Sequence, residues 1–145
     1  MERNDLPTIT ATLEAALARR PEILEAYLFG STARGEAGAL GDLDVAVYLD
    51  SARVPETAFG YAAELTTALM TALRRSDVDV VVLNDAPPLL YHRVLRDGIR
   101  VISKDLKATT VREGRALSRY CDFLPQLRKI DAAHAARIAR GDFGR

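Results

Sequence analysis

The sequence predicts a small α/β protein in which helices cover a mixed β-sheet. Short apolar runs typical of strands alternate along the chain with longer segments whose apolar residues recur every three or four positions, as in amphipathic helices. We find no internal repeat, low-complexity tract or domain linker in this alternation. A chain of 145 residues, 48% of them apolar, is also long enough to bury one hydrophobic core.

Four strands are expected, because four short apolar runs are bounded by polar or turn-forming residues. In the second run, valine and leucine alternate with Asp44, Ala46 and Tyr48, which is the period of a strand with two different faces. The third run is dense in valine, a residue type enriched in strands. The expected strands are Leu24 to Phe29, Leu43 to Leu49, Asp77 to Leu83 and Ile99 to Ser103.

Two helices are expected in the first half of the chain. One spans Thr8 to Arg20, with Thr8 or Thr10 as its N-cap and Pro21 at its end. The segment from residue 31 to residue 41 favours one or two helical turns followed by a loop that leads to Asp42. The other helix covers the sheet with apolar residues three and four positions apart, namely Ala58, Ala62, Leu65, Leu69 and Leu73.

The second half of the chain contains two further helical patterns. Pro87 and Pro88 are placed where a helix can begin, and Gly98 is placed where it can end. From about Leu106 onward the pattern is helical, and Pro125 is expected to kink or break the run. The apolar stripe of this C-terminal extension is expected to pack in the core, with an exposed partner-binding groove or dimer contact as the alternative. The stripe consists of Leu117, Tyr120, Leu124 and Leu127.

Composition favours one soluble cytoplasmic domain that spans residues 1–145, with a core of about residues 22–104 and helical segments at both ends. The 20 basic and 20 acidic residues balance, so no overall charge favours nucleic acid or a membrane surface. No run approaches the roughly 20 apolar residues that span a bilayer, and the N-terminus lacks the pattern of a signal peptide. The single cysteine, Cys121, excludes an internal disulfide and is expected to be buried.

The most informative segment joins the first two strands. Gly30 and Ser31 close the first strand and open a helical turn, where backbone N–H groups and the Ser31 hydroxyl can bind a phosphate. Asp42 and Asp44 are two positions apart at the start of the second strand, so both carboxylates point to one face. Mg²⁺ is commonly bound by one or two carboxylates together with the phosphates of its substrate. The segment therefore predicts a magnesium–nucleotide site.

A third carboxylate would complete a two-metal site. Asp77 and Asp79 share one face of the third strand, and we favour Asp79 as base, second metal ligand or both. It lies deeper in the valine run, where an unpartnered charge would be costly. Asp77 is interpreted as a structural residue near the end of the preceding helix. Arg34 is expected either to contact a phosphate or to pair with Glu36 on the surface.

These residues resemble a known family. Gly30-Ser31, ten residues and Asp42-Leu43-Asp44 match the signature of the nucleotidyltransferases related to DNA polymerase beta. The sequence ARGEA after the serine and the later stretch VDVVVLNDAPPLLYHRVLRDG resemble the minimal nucleotidyltransferase (MNT) antitoxins specifically. The resemblance covers most of residues 24–103. Members commonly have a serine before the first aspartate, and Gly41 in that place removes one hydroxyl contact without changing the metal ligands.

The resemblance implies a polymerase beta-like fold, two Mg²⁺ ions, ATP as substrate and a HEPN-type ribonuclease toxin as partner. Such an enzyme would neutralise the toxin by transferring AMP to one of its tyrosines. Two alternatives remain open: an antitoxin that only binds its toxin, and a nucleotidyltransferase that modifies a small molecule such as an aminoglycoside. The three acids Asp42, Asp44 and Asp79 favour catalysis, because a binding module has no physical need for them.

The remaining polar residues are interpreted as structural. His92 and His134 have no metal-ligand spacing and are expected on the surface or between helices. Arg93 and Arg96 lie near the end of a helix, where arginines usually serve as capping or ion-pair residues.

Overall fold

The computed structural model describes residues 5–30, 33 and 42–141. Within these residues the chain forms four helices, four strands and one 3₁₀ turn at Leu83–Asp85. The helices are α1 (Leu6–Ala18), α2 (Tyr61–Leu73), α3 (Pro88–Asp97) and α4 (Leu106–Ala139). The strands are β1 (Ile23–Phe29), β2 (Leu43–Leu49), β3 (Val78–Val82) and β4 (Ile99–Ser103). Every strand expected from the sequence is present.

The strands form one mixed sheet in the order β3-β2-β1-β4. Strand β1 pairs antiparallel with both β2 and β4, whereas β2 and β3 are parallel. The end of β1 therefore lies beside the start of β2, and the start of β3 lies there too. Phe29 is opposite Asp44, and Asp44 is opposite Asp79. Three strand ends thus meet at one edge of the sheet.

Helices cover both faces of this sheet. On one face, buried side chains of α1 and α2 pack against Val45 and Val47 of β2. On the opposite face, Tyr91 and Val94 of α3 and Ala116 of α4 pack near Ala46. Because side chains alternate along a strand, Asp44 and Tyr48 belong to this second face. The acidic edge therefore lies on the α3–α4 side of the sheet.

The start of α1 differs from the expectation. Its N-cap is Asp5, whose carboxylate accepts a hydrogen bond of 3.0 Å from the backbone N–H of Thr8. Pro7 fits the first turn, where its missing N–H is no loss, so the helix begins before Thr8. The Thr10 hydroxyl instead donates to the carbonyl of Leu6 inside the helix. The assignment of Thr8 or Thr10 as N-cap was wrong.

Helix α4 departs most from the expectation, because it continues through Pro125 for 34 residues without a break. Leu117 was expected in the core, but its side chain is 51% exposed. Cys121 was expected to be buried, and it is exposed. Ala116 is the last buried residue of the helix. Tyr120 stacks instead on His92 of α3, with 3.6 Å between ring centroids.

A buried ion pair attaches α4 to the sheet. Glu25 of β1 is fully buried and accepts two hydrogen bonds from Arg112, of 2.7 and 2.6 Å. The Thr109 hydroxyl donates a third bond of 3.0 Å to the same carboxylate, so the Ser103 hydroxyl must donate to Thr109. The carboxylate is therefore well satisfied although it lies between a sheet and a helix.

In the described part of the chain, no helix is long and apolar enough to cross a membrane.

Removing one partner of this pair should be costly, because it leaves a charge buried without compensation. Arg112→Leu is expected to lower the free energy of unfolding by about 3 kcal/mol or more, measured by urea denaturation. Replacing both partners with leucine should recover much of that loss. Arg128→Leu, at an exposed position of the same helix, serves as the control and should change stability little. Equal stability of the two single variants would contradict this account.

Candidate active site

Three carboxylates come together at the edge where β1, β2 and β3 meet. Asp44 and Asp79 are register partners on adjacent strands, which lie about 4.8 Å apart in a sheet. Asp42 precedes Asp44 by two positions, just before the start of β2, and is close enough for its charge to act on Asp44. Burial, then the charge of Asp79 and then that of Asp42, raise the pKa of Asp44. The three acids therefore form one cluster of negative charge.

The structure corrects the reason for choosing Asp79. Its side chain is exposed rather than buried in the valine run, because β3 is the edge strand of the sheet. Its position beside Asp44 instead follows from the parallel register of β2 and β3. Asp77 accepts hydrogen bonds of 2.7 and 2.6 Å from the Arg75 guanidinium, which lowers the pKa of Asp77. This ion pair agrees with the structural interpretation of Asp77.

Gly30 lies directly against the cluster. Its φ of 80° is in the left-handed region that favours glycine. A Cβ atom at this position would lie 2.2 Å from the Asp44 Oδ2 atom, closer than any side chain tolerates. Gly30 therefore gives the Asp44 carboxylate its space, a role that the sequence alone did not indicate. Ser31, Arg34 and Gly41 lie outside the described residues.

The donor set of this cluster fits a hard divalent cation. Carboxylate oxygens are the ligands that Mg²⁺ takes from proteins, usually one or two of them with substrate phosphates. Burial first, and then repulsion from Asp79 and Asp42, raise the pKa of Asp44, and a bound cation would relieve that repulsion. Among the described residues, no group of three or more His, Cys, Asp or Glu is placed so that its side chains alone could hold a metal ion. The expected coordination therefore relies on phosphate oxygens as well as on carboxylates.

The acidic cluster lies where the sequence predicted a magnesium–nucleotide site. The family model described as "Polymerase beta, Nucleotidyltransferase" matches residues 11–107, and the chain belongs to that family. It is thus a nucleotidyltransferase by family, and the fold expected from the sequence is confirmed. No curated protein matches the sequence.

Solved structures share this fold. A chain from a toxin–antitoxin complex with AMP-PNP superposes with a TM-score of 0.70 and 24% identity, covering 86% of this chain and 98% of that chain. A chain from the complex of a tri-AMPylated Shewanella oneidensis HEPN toxin with an MNT antitoxin has a TM-score of 0.67 and 22% identity, covering 88% and 98%. A chain from the MntA–HepT toxin–antitoxin has a TM-score of 0.66 and 22% identity, with the same coverage. At these identities, the similarity establishes the fold.

The raised pKa of Asp44 leads to a prediction about stability. Its stabilising contribution is complete below the ordinary pKa of 3.8 and is lost as pH rises through the raised folded-state pKa. At pH 7 without divalent cations, Asp44→Asn should therefore melt at the same temperature as the wild type or higher. Added Mg²⁺ should raise the Tm of the wild type but not of Asp44→Asn. Thermal melts with and without Mg²⁺ check this.

The matched control for that measurement is Asp122→Asn, at an exposed position of α4, which should keep the full response to Mg²⁺. An equal rise in Tm for the wild type and Asp44→Asn would show that Asp44 does not contribute to cation binding.

Comparing Gly30→Ala with Gly60→Ala should separate the effect of backbone strain from the effect of a methyl group pressed against the acidic cluster. Gly60 also has a positive φ, of 90°, but a Cβ there meets nothing within 4 Å. Both alanine variants should lose about 1–3 kcal/mol from strain, measured by urea denaturation. Only Gly30→Ala should also lose the Mg²⁺-induced rise in Tm, because the Asp44 carboxylate must rotate away from the new methyl group. If Gly30→Ala keeps that rise, the contact has no role in cation binding.

Proposed function

We propose that the protein is a Mg²⁺-dependent adenylyltransferase that moves AMP from ATP to a tyrosine of a HEPN-type toxin and so neutralises it. The observation that carries the proposal is the cluster of Asp42, Asp44 and Asp79 beside Gly30, in the fold of the nucleotidyltransferase family. A protein that only binds another has no physical need for three acids that converge and repel one another.

The solved structures support the choice of nucleotide and acceptor. One toxin–antitoxin complex with a similar chain is described with AMP-PNP, an analogue of ATP. Another contains a tri-AMPylated HEPN toxin together with an MNT antitoxin. By analogy, we assign ATP as the substrate and a HEPN-type toxin as the acceptor, with one or more AMP groups transferred.

The reaction proposed for this site is an in-line displacement at the α-phosphorus of ATP. The acceptor oxygen forms a bond to phosphorus, the bond to the bridging oxygen breaks, and pyrophosphate leaves. Asp42 and Asp44 would hold Mg²⁺, which when bound neutralises charge on the phosphates. Asp79 would accept the proton of the acceptor hydroxyl or join Asp44 as a ligand. Gly30 and Ser31 are assigned to the triphosphate, with Arg34 as a further phosphate contact.

One observation favours a second candidate, an antitoxin that acts by binding alone. The apolar side chains of Leu117, Ile130 and Ile138 are about half exposed along α4, at 51%, 58% and 47%. Apolar side chains exposed along a helix can form a contact surface for another protein. Binding and transfer are separated by whether the partner gains mass.

The test is to incubate the purified protein with a HEPN-type toxin from the same genome, Mg²⁺ and each of the four nucleoside triphosphates separately. Intact mass spectrometry should show that the toxin gains one or more AMP groups with ATP. Asp42→Ala and Asp44→Ala should abolish this gain, because each removes a metal ligand. Both variants should stay folded, since each also removes like-charge repulsion.

The control variant for transfer is again Asp122→Asn, which should be as active as the wild type. Transfer by Asp44→Ala near the wild-type rate would overturn the assignment of the site. A stable complex without any mass gain would overturn transfer to the toxin and favour the binding module.

A further inference from the structure

A basic cleft lies on the same face of the sheet as the acidic cluster. It has a volume of about 810 Å³, and its lining includes Tyr48 of β2, Tyr91 of α3 and one side of α4. Tyr48 follows Asp44 by four positions on one strand, so their Cα atoms are roughly 13 Å apart. The cleft is therefore near the candidate active site but separate from the phosphate contacts expected at Gly30.

Three arginines of α4 line the cleft at helical spacing, Arg112, Arg115 and Arg119. Arg112 is held by the buried carboxylate of Glu25, with its guanidinium carbon 5.0 Å from the centre of the Tyr48 ring. Its charge is thus compensated. No carboxylate of the described residues forms an ion pair with Arg115 or Arg119, so two guanidinium groups remain available to an anion.

The hydroxyl of Tyr91 gives independent evidence for a ligand. Tyr91 lines the cleft, is 1% exposed, and its hydroxyl has no hydrogen-bond partner among the described residues. A buried polar group without a partner is costly and uncommon, so it calls for an explanation, and a ligand in the cleft supplies one. Burial first, then the charge of Glu25, raise the pKa of Tyr91 to about 12, so the hydroxyl keeps its proton and can donate.

Arg119 brings together the arginines without an ion pair and the Tyr91 hydroxyl without a hydrogen-bond partner. Its guanidinium carbon lies 5.8 Å from the centre of the Tyr91 ring and helps to cover it. Both side chains line the cleft, so a phosphate bound to this guanidinium would lie beside the Tyr91 ring. The hydrogen-bond donors would be the guanidinium groups of Arg115 and Arg119 and the hydroxyl of Tyr91. Such donors suit an anion with several oxygens, such as a phosphate.

We propose that this arginine cleft binds the phosphates of nucleotides already attached to the acceptor, as a site separate from that of the reacting triphosphate. The proposal rests on the proposed function, because only an acceptor that has received AMP carries such groups. Binding of an AMP-bearing acceptor beside the acidic cluster would keep its newest ribose hydroxyl near the acids for the next transfer.

The probe is a 5′-phosphorylated adenosine trinucleotide with a fluorescent label, titrated with the full-length protein without Mg²⁺ and followed by anisotropy. Arg115→Gln and Arg119→Gln should each weaken binding about tenfold or more. Each should also reduce the slope of log affinity against log salt by about 0.7. Arg128→Gln removes the same charge from the same helix outside the cleft and should bind like the wild type.

Tyr91→Phe distinguishes a ligand contact from a structural role. Loss of an unsatisfied hydroxyl should leave the Tm of the free protein unchanged or higher, while the affinity for the trinucleotide falls. A lower Tm, or unchanged affinity, would overturn the role of this hydroxyl. Wild-type affinity in both Arg115→Gln and Arg119→Gln, or equal weakening in Arg128→Gln, would overturn the cleft as the binding site.

Competition identifies the source of the phosphate. Free ATP should displace the trinucleotide only weakly, and its own affinity should not depend on Arg115 or Arg119. Full displacement by ATP, with the same loss of ATP affinity in both variants, would assign the cleft to the substrate nucleotide and overturn the proposal. Since the titration needs no transfer, trinucleotide binding without any mass gain on the toxin would contradict the proposed function alone. Mass gain without trinucleotide binding would contradict only the cleft.

Discussion

The register between β1 and β2 is the constraint on which the rest of the structure depends. It places Phe29 opposite Asp44, so that the turn at Gly30 lies against the acidic side chain. A slip of one residue would turn Asp44 toward α1 and α2 and expose Val45 to the other face. The apolar packing of β2 therefore selects the same register that assembles the acids. The stability of the fold and the geometry of the acidic site therefore both depend on the pairing of β1 with β2.

The ion pair of Glu25 and Arg112 is a second constraint, because it connects residues 87 positions apart in the chain. It determines where α4 crosses the sheet, and thereby which arginines face Tyr48 and Tyr91. The buried charge carries a desolvation cost that a hydrophobic pair would avoid. In return, α4 has one position on the sheet, since a shift along the strand would leave the carboxylate without its three donors.

The alternation of apolar residues and the runs of valine predicted the four strands well, because both signals lie within a few neighbouring residues. It placed β2 and β4 at their observed ends. It could not predict that Glu25 is buried, since its partner lies far along the chain. The burial of Asp79 and Leu117 was also misjudged, because each depends on where the sheet ends in space.

Helix α4 consists of two parts with different sources of stability. Up to Ala116 it is held by the sheet, the ion pair and α3, whereas from Arg128 onward every described residue is exposed. The distal part depends on its own helical propensity, which its alanines favour, and short isolated helices are marginal in water. Backbone amides should therefore exchange with solvent slowly in the first part and quickly in the second. We therefore expect the end of α4 to open locally without unfolding the rest of the protein.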